Sequence, residues 1–386
     1  MLTEGNVLMT AVSADLLTTR NATIDDLVVL LRDQQARKVD VVASASSVRA
    51  EGGCLVLDGT MPVLGADGVT MTEGRYRPTD VCDAGIADKL GIPAAYLRKT
   101  RDCHPALFDA NVNGWLQRDD RKFFIRALRG AGGETGIARA WLSDGYKKID
   151  HLDTLMAVFD GIRRAGHPVQ IETCDLTDRR MYVRARCEAV QVLAPGLLAG
   201  YRSPFTGASG ADNPLVFAGF VVTNSETGCG AATVTPRIIA QVCANGMTIT
   251  RDAMRAVHLG ERMDEGIQWS SDTLDRQLEL VTAKARDAIT AFLDPGYVAR
   301  LVREMEQHAG HRVTDAPKAI EVIGARLRYT EAQQKEILDH VIAGGSLTAG
   351  GIMHAVTSAA QVQDDGDAAW DLETSALDAL RLAAAL

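Results

Sequence analysis

"RRMYVRARCEAVQVL", residues 179–193, is the stretch on which the reading of this chain turns. On a two-residue period Arg180, Tyr182, Arg184 and Arg186 share one face, while Met181, Val183, Ala185 and Cys187 share the other. That alternation is the signature of a strand with one dry and one polar side. Just before it, "PVQIETCDL" (168–176) reads as a strand partner. After a Gly/Ser/Pro-rich loop, "LVFAGFVVTNSETGCGAATVTP" (215–236) reads as a further pair turning at Asn224–Gly230. Upstream, "RKFFIRAL" (121–128) and "GIARAWLS" (136–143) flank the glycine-dense "RGAGGET", a hairpin with a longish loop.

Helices punctuate these strands. Thr23 caps "IDDLVVLLRDQQAR", and residues 39–78 read as short strands and turns. Thr79 opens a helix that stops near Gly91, a second helix starts at Pro93, and Asp150 opens a helix running to about Ala165. Pro236 is expected to open the helix "PRIIAQVCANG", with Gly246 as its stop. After about Thr250 the period becomes helical and stays so. The expected fold is therefore α+β: mixed or antiparallel sheet with packed helices, then an α-helical C-terminal region. The chain divides into a helix and strand segment (1–60), an α+β core (61–250) and a helical region with an acidic terminus (251–386).

Composition narrows the function classes. Of 386 residues, 46% are apolar and 24% charged, which excludes wholesale disorder. A formal net charge of −9 excludes a uniformly basic, histone-like binder. No apolar run is long enough to cross a bilayer, and the N-terminus lacks a basic region before an apolar one. The expectation is a soluble, cytoplasmic protein that does not engage a membrane. The seven cysteines are scattered without a C-x-x-C pair, so most read as small buried apolar residues. His308 and His311 in "HAGHR" have no ligand cluster around them and read as a solvated helix end. No metal or cofactor is expected.

Charge is uneven along the chain. Residues 118–186 carry 14 Lys and Arg against 10 Asp and Glu, a basic strand region within an acidic protein. Lys122, Phe124 and Arg126 share one face of their strand as the arginines of 180–186 do. Two such strands in one sheet would form a basic groove, with Arg and Lys on phosphates and Tyr182 and Phe124 stacking bases. Lys147 and Lys148, in the turn before a helix N-terminus, would anchor phosphate. The opposing reading is a solvated sheet face whose arginines pair with carboxylates from a covering helix. The turn "TNSETGCGAAT" (223–233) reads as a plain hairpin turn, although Asn224 and Glu226 have the chemistry to position a metal or a hydroxyl.

Several blocks in order, "LGIPAAYLRK" (90–99), "NVNGWL" (111–116), "WLSDGYKKID" (141–150), "VVTNSETGCGAATVTPRIIAQVCANGM" (221–247), "YTEAQQKEIL" (329–338) and "GGSLTAGGIMHAVTSAAQ" (344–361), resemble the phage/plasmid-like domain-of-unknown-function family. That family has no settled activity and brings no catalytic residues. Its strand and helix layout is similar in turn to the phage single-strand annealing proteins of the RecT and Redβ kind. This resemblance implies an ATP-independent single-stranded DNA-binding and annealing protein, acting in recombination or replication of a mobile element and assembling as a homo-oligomer. The acidic C-terminus would then recruit a protein partner or compete with DNA. Two other readings stand beside it. One is a non-catalytic interaction or assembly protein, the other an enzyme with a site near Asn224, Ser225 and Glu226.

Overall fold

The computed structural model describes residues 17–60, 62–65, 68–146, 148–242, 246–256 and 271–386. The chain begins with β1 (Thr19–Ala22), α1 (Ile24–Arg37), β2 (Lys38–Ser44), β3 (Val48–Glu51), β4 (Cys54–Leu57), β5 (Val63–Gly65), β6 (Gly68–Thr70) and β7 (Gly74–Pro78). Helices α2 (Asp80–Leu90), α3 (Ala94–Cys103) and α4 (Pro105–Leu116) lead to β8 (Lys122–Leu128), β9 (Gly136–Ser143) and α5 (His151–Ala165). Then come β10 (Gln170–Leu176), β11 (Met181–Leu193), α6 (Pro195–Leu198), β12 (Leu215–Asn224), β13 (Ala232–Ala240), β14 (Gly246–Thr248) and β15 (Met254–Ala256). The remainder is helical: α7 (Ser271–Phe292), α8 (Pro295–Ala309), α9 (Ala316–Leu327), α10 (Glu331–Gly344), α11 (Ala349–Gln361) and α12 (Gly366–Ala384). The architecture is α+β. Among the described residues no helix is long and apolar enough to cross a membrane.

Local chemistry sets the boundaries. The Thr23 hydroxyl accepts the Asp26 N–H and Asp26 reaches back to Thr23, a reciprocal cap on α1. Thr79 caps α2 by accepting from Cys82, and Gly91 closes that helix in the left-handed region at φ 68°, where a side chain would be strained. Asp150 occupies the cap position of α5 but makes no cap bond, because its carboxylate is used elsewhere.

Two sheets result. The larger has the order β1-β10-β11-β12-β13-β14, with β15 also on β13, and is antiparallel throughout. The smaller runs β2-β8-β9-β7-β4-β3, and only its β7–β9 pairing is parallel. Met181, Val183, Ala185 and Cys187 face a large core shared with α1, α5 and the C-terminal helices. Phe123, Ile125 and Ala127 face a second core shared with α2 and α4.

Three expectations need correction. The two basic strands do not share a sheet: β8 pairs with β2 and β9, whereas β11 pairs with β10 and β12. The segment after Pro236 is a strand, not a helix. Proline is tolerated there because its carbonyl accepts from Ile249 on the β14 side, so its missing N–H falls between the residues paired to β15 and those paired to β14. Gly246 accordingly starts β14 rather than ending a helix.

Candidate functional site: two arginine faces and an interlobe cleft

Beyond Lys122, the polar face of β8 is sealed. Arg126, 1% exposed, sits across from Asp40 of β2. Its Nε and Nη2 donate to both Asp40 oxygens at 2.9 and 3.0 Å, Nη2 also donates to Asp150 at 2.5 Å, and Nη1 donates to the Glu226 carbonyl at 3.2 Å. Lys38 donates to the second Asp150 oxygen at 2.5 Å. Glu226 accepts from Arg139 at 2.7 Å and from the His151 N–H at 2.6 Å. The Asn224 amide donates to the Ile149 carbonyl and meets His151 Nδ1 at 3.1 Å. The β12–β13 turn thereby pins the large sheet to β8, β9 and the start of α5.

These contacts set the charges. Burial works to raise the Glu226 carboxyl, yet His151 in its protonated form, Arg139 and Arg126, together with the His151 backbone N–H, hold it well below the usual range. Asp150 is likewise held low against its burial, chiefly by Arg126 and Lys38. Burial drives His151 down to about 4, so its ring is neutral at neutral pH. Glu226, Asp150 and His151 are thus committed to fastening elements together. Phe124, 8% exposed, stacks on Tyr146 with ring centroids 6.3 Å apart and offers no open face to a base. Lys122, the first residue of β8, is exposed, and so is Lys148, whose Nζ lies 3.5 Å from Asp40. Lys147 lies outside the described residues.

The β11 face is also covered, and here helix α12 is the lid. Arg184, 3% exposed, donates to Asp175 at 2.5 Å and to Glu373 of α12 at 3.1 Å. Glu373 lies 3.5 Å from Arg237 as well, and Arg237 donates to Glu172 at 2.8 Å. Tyr182 is fully buried, donates to Asp367 at 2.5 Å and packs on Trp370 at 5.4 Å between ring centroids. Arg180, half-buried, donates to the Cys229 carbonyl, and half-buried Arg186 pairs with Glu172 and Glu188. The proposed groove therefore does not exist at Phe124, Arg126, Tyr182 or Arg184. The acidic C-terminal helix occupies one face, and Asp40, Asp150 and Glu226 occupy the other. The covering-helix reading of the β11 arginines is the one the geometry realises.

Between the two sheets lies an open cleft of about 870 Å³. One face of α2, from Asp80 through Ala84 and Gly85 to Asp88 and Lys89, lines it. Opposite are the β10–β11 turn with Asp178 and Arg179, the β12–β13 turn at Thr227–Cys229, and the start of α12 at Asp364–Asp367. α2 can lie this close to β9 because residue 85 is glycine: a Cβ there would stand 2.4 Å from the Trp141 carbonyl. Burial raises the Asp178 carboxyl; the Arg139 charge opposes that, and the carboxylates of Asp80 and Asp367 add to it. Asp178, Asp364 and Arg179 form no salt bridge among the described residues, although Arg139 acts on Asp178, Arg179 acts on Asp371, and Arg20, Lys89 and Arg98 also line the cleft. Trp141, 1% exposed, also lines the cleft, and its buried indole Nε1 has no acceptor. The Nε of Arg98, another lining residue, is in the same position.

None of these cleft residues is marked by spacing in the sequence. The one available signal is the run Asp364, Asp365, Asp367 at a helix start. Of the cysteines described, Cys82, Cys174 and Cys187 are buried, Cys54 and Cys229 are half-buried, and Cys103 is exposed. Among the described residues no group of three or more His, Cys, Asp or Glu is arranged to hold a metal ion. No protein-family model, no curated protein and no solved structure matches the chain.

Proposed function

We propose that this chain is a binding and assembly protein that engages a partner in the cleft between its two sheets. The observation that carries this reading is the contrast between spent and unspent charge. The arginines on the strand faces are bound internally to carboxylates, whereas the cleft lining carries six aspartates against Arg20, Lys89, Arg98 and Arg179, and of these aspartates Asp178 and Asp364 form no salt bridge among the described residues. An acidic, solvent-open cleft in a protein of net charge −9 favours a partner that brings positive charge. Glu226, Asp150 and His151, the groups best suited to acid–base chemistry, are held in structural bonds, which supports binding over catalysis.

A second reading, single-stranded DNA binding or annealing for a mobile element, is supported by a smaller surface: Lys122, Lys148 and Arg179 remain exposed. One titration separates the two. Fluorescence anisotropy of a labelled polycationic peptide and of a labelled single-stranded oligonucleotide is followed at low and at moderate salt. The cleft reading predicts salt-sensitive binding of the polycation and none of the oligonucleotide. Oligonucleotide binding that weakens with salt, by about 0.7 in log–log slope for each phosphate contacted, supports the second reading and overturns the first.

A further inference from the structure

We infer that β2 docks an extended segment of a partner protein as an added strand on its free edge, with an apolar partner residue beside Val42 and an acidic one beside Ser44. This surface is separate from the cleft and does not rest on it. The hydrogen-bond ladder shows which main-chain groups are free. Arg129 donates to the Arg37 carbonyl and Ala45 donates to the Arg121 carbonyl, so the odd-numbered residues of β2 bond to β8. The N–H and C=O of Asp40 and Val42 therefore point away from β8 and have no partner among the described residues. The side chains alternate in step: Val39, Val41 and Ala43 are buried in the second core, whereas Val42 is 51% exposed.

The other sheet edges are closed or short. At the far edge of the same sheet, Asn113 of α4 bonds both main-chain groups of Ala50 in β3. Its amide donates to the Ala50 carbonyl at 2.8 Å, and its oxygen accepts the Ala50 N–H at 2.7 Å. In the larger sheet β1 has four residues, with a register shift and Asn21 in the left-handed region, and β14 has three. β2 has seven residues, an unbroken register, and neither proline nor glycine. Such an edge is a template for one more strand, held by main-chain bonds.

The face on which Val42 projects sets the partner's chemistry. Lys122, across from Ser44, is exposed and makes no side-chain bond among the described residues. Exposed Lys148 lies 3.5 Å from Asp40, and exposed Asp153 of α5 also feels its charge. Beneath them Lys38, Arg126 and Arg139 are matched by Asp40, Asp150 and Glu226. In the turn before β8, Asp119 binds Arg121, and Arg118 offsets Asp120 in charge. The charge left over is that of Lys122. An added strand would lie about 10 Å from β8, a gap that a lysine and a glutamate side chain close between them. An acid beside Ser44 therefore answers Lys122, whereas one beside Asp40 would meet like charge.

The test uses the full chain and three fluorescein-labelled probes, followed by fluorescence anisotropy. The first is a peptide in which Glu and Val alternate with Thr, the second has Lys in place of Glu, and the third is the first with alternate main-chain nitrogens methylated. The parent should bind the Glu peptide, and methylation should weaken it about tenfold or more, because the ladder bonds are lost. Lys122→Glu should weaken the Glu peptide severalfold and favour the Lys peptide instead. Val42→Pro removes an N–H that β8 does not use and should abolish binding, with thermal melts establishing that the variant is folded. The methylated probe tests the same bonds without any variant. If the parent binds no Glu peptide, or binds the methylated one equally well, the inference falls. A preference between Glu and Lys peptides that ignores Lys122→Glu overturns the acidic partner. A dimer in light scattering that Val42→Pro converts to monomer would give the edge to a second copy of this chain and overturn the partner segment.

Discussion

Replacing Glu226 by glutamine removes one negative charge from the junction of the two sheets and little else. The side chain is 8% exposed, accepts from Arg139 at 2.7 Å and the His151 N–H at 2.6 Å, and lies beside the buried Arg126. Glutamine keeps an acceptor for one of these donors but leaves the Arg139 guanidinium without its counter-charge. Removing one partner of a buried ion pair costs about 3–5 kcal/mol, and the retained acceptor places this case near 3. With an unfolding entropy of about 2.1 cal/mol/K per residue, a 386-residue chain melting as one unit loses about 4 °C in Tm. The pH dependence follows from the depressed Glu226 carboxyl. Its contribution is present in full above the ordinary glutamate value near 4.5 and is lost as pH falls through the lower folded value. The gap between parent and E226Q should therefore be largest at neutral pH and narrow on acidification below about 4. Circular-dichroism melts across that range measure it. A variant melting with the parent at neutral pH, or a gap that widens in acid, would refute the assignment of Glu226 as an ionised clamp.

Other outcomes follow from the same contacts. Arg184→Met takes from Asp175 and Glu373 the buried cation they share, leaving them Arg20 and Arg237, and should destabilise by about 3 kcal/mol in chemical denaturation, the low end for breaking a buried pair, while leaving the salt slope of any nucleic-acid binding unchanged. A changed slope would mean that the β11 face reaches solvent. Gly85→Ala places a methyl group 2.4 Å from the Trp141 carbonyl and should cost about 1–3 kcal/mol, with faster amide exchange across α2. Unaltered exchange there would contradict the close helix–strand approach. In timed alkylation followed by peptide mapping, Cys103 should react before the other described cysteines. Cys82 and Cys174 should wait for unfolding, burial having raised both thiols, that of Cys174 to about 12.

Much of the fold was legible in the sequence because its signals are local. Thr23 and Thr79 cap helices, Gly91 stops one, and the alternation over 181–187 marks a strand with a dry face. The helix expected after Pro236 failed because the gap between β14 and β15 accommodates a proline that a continuous ladder would not. Helix α4 went unread for a related reason: "PALFDANVNGWL" carries Asn and Gly, poor helix formers, and is held by burying Phe108, Val112 and Leu116.

The site was less legible. The sequence placed Arg180, Tyr182, Arg184 and Arg186 on one face and could not say what lies over it, since the cover, Asp367 and Glu373, comes from almost 200 residues away. Arg126 likewise looks free until β2 brings Asp40 across from it. The cleft unites α2, a turn near 178 and a helix start near 364, and that juxtaposition is a property of tertiary packing alone.

The most direct measurement is photo-crosslinking of the full chain with a Lys/Arg-rich peptide carrying a benzophenone side chain, read by mass spectrometry. The account predicts adducts on α2 between Asp80 and Lys89, on the turn at Asp178–Arg179 and at the start of α12, all suppressed by excess unlabelled peptide. Competable adducts that fall elsewhere on the surface, with the cleft unmodified, would contradict it.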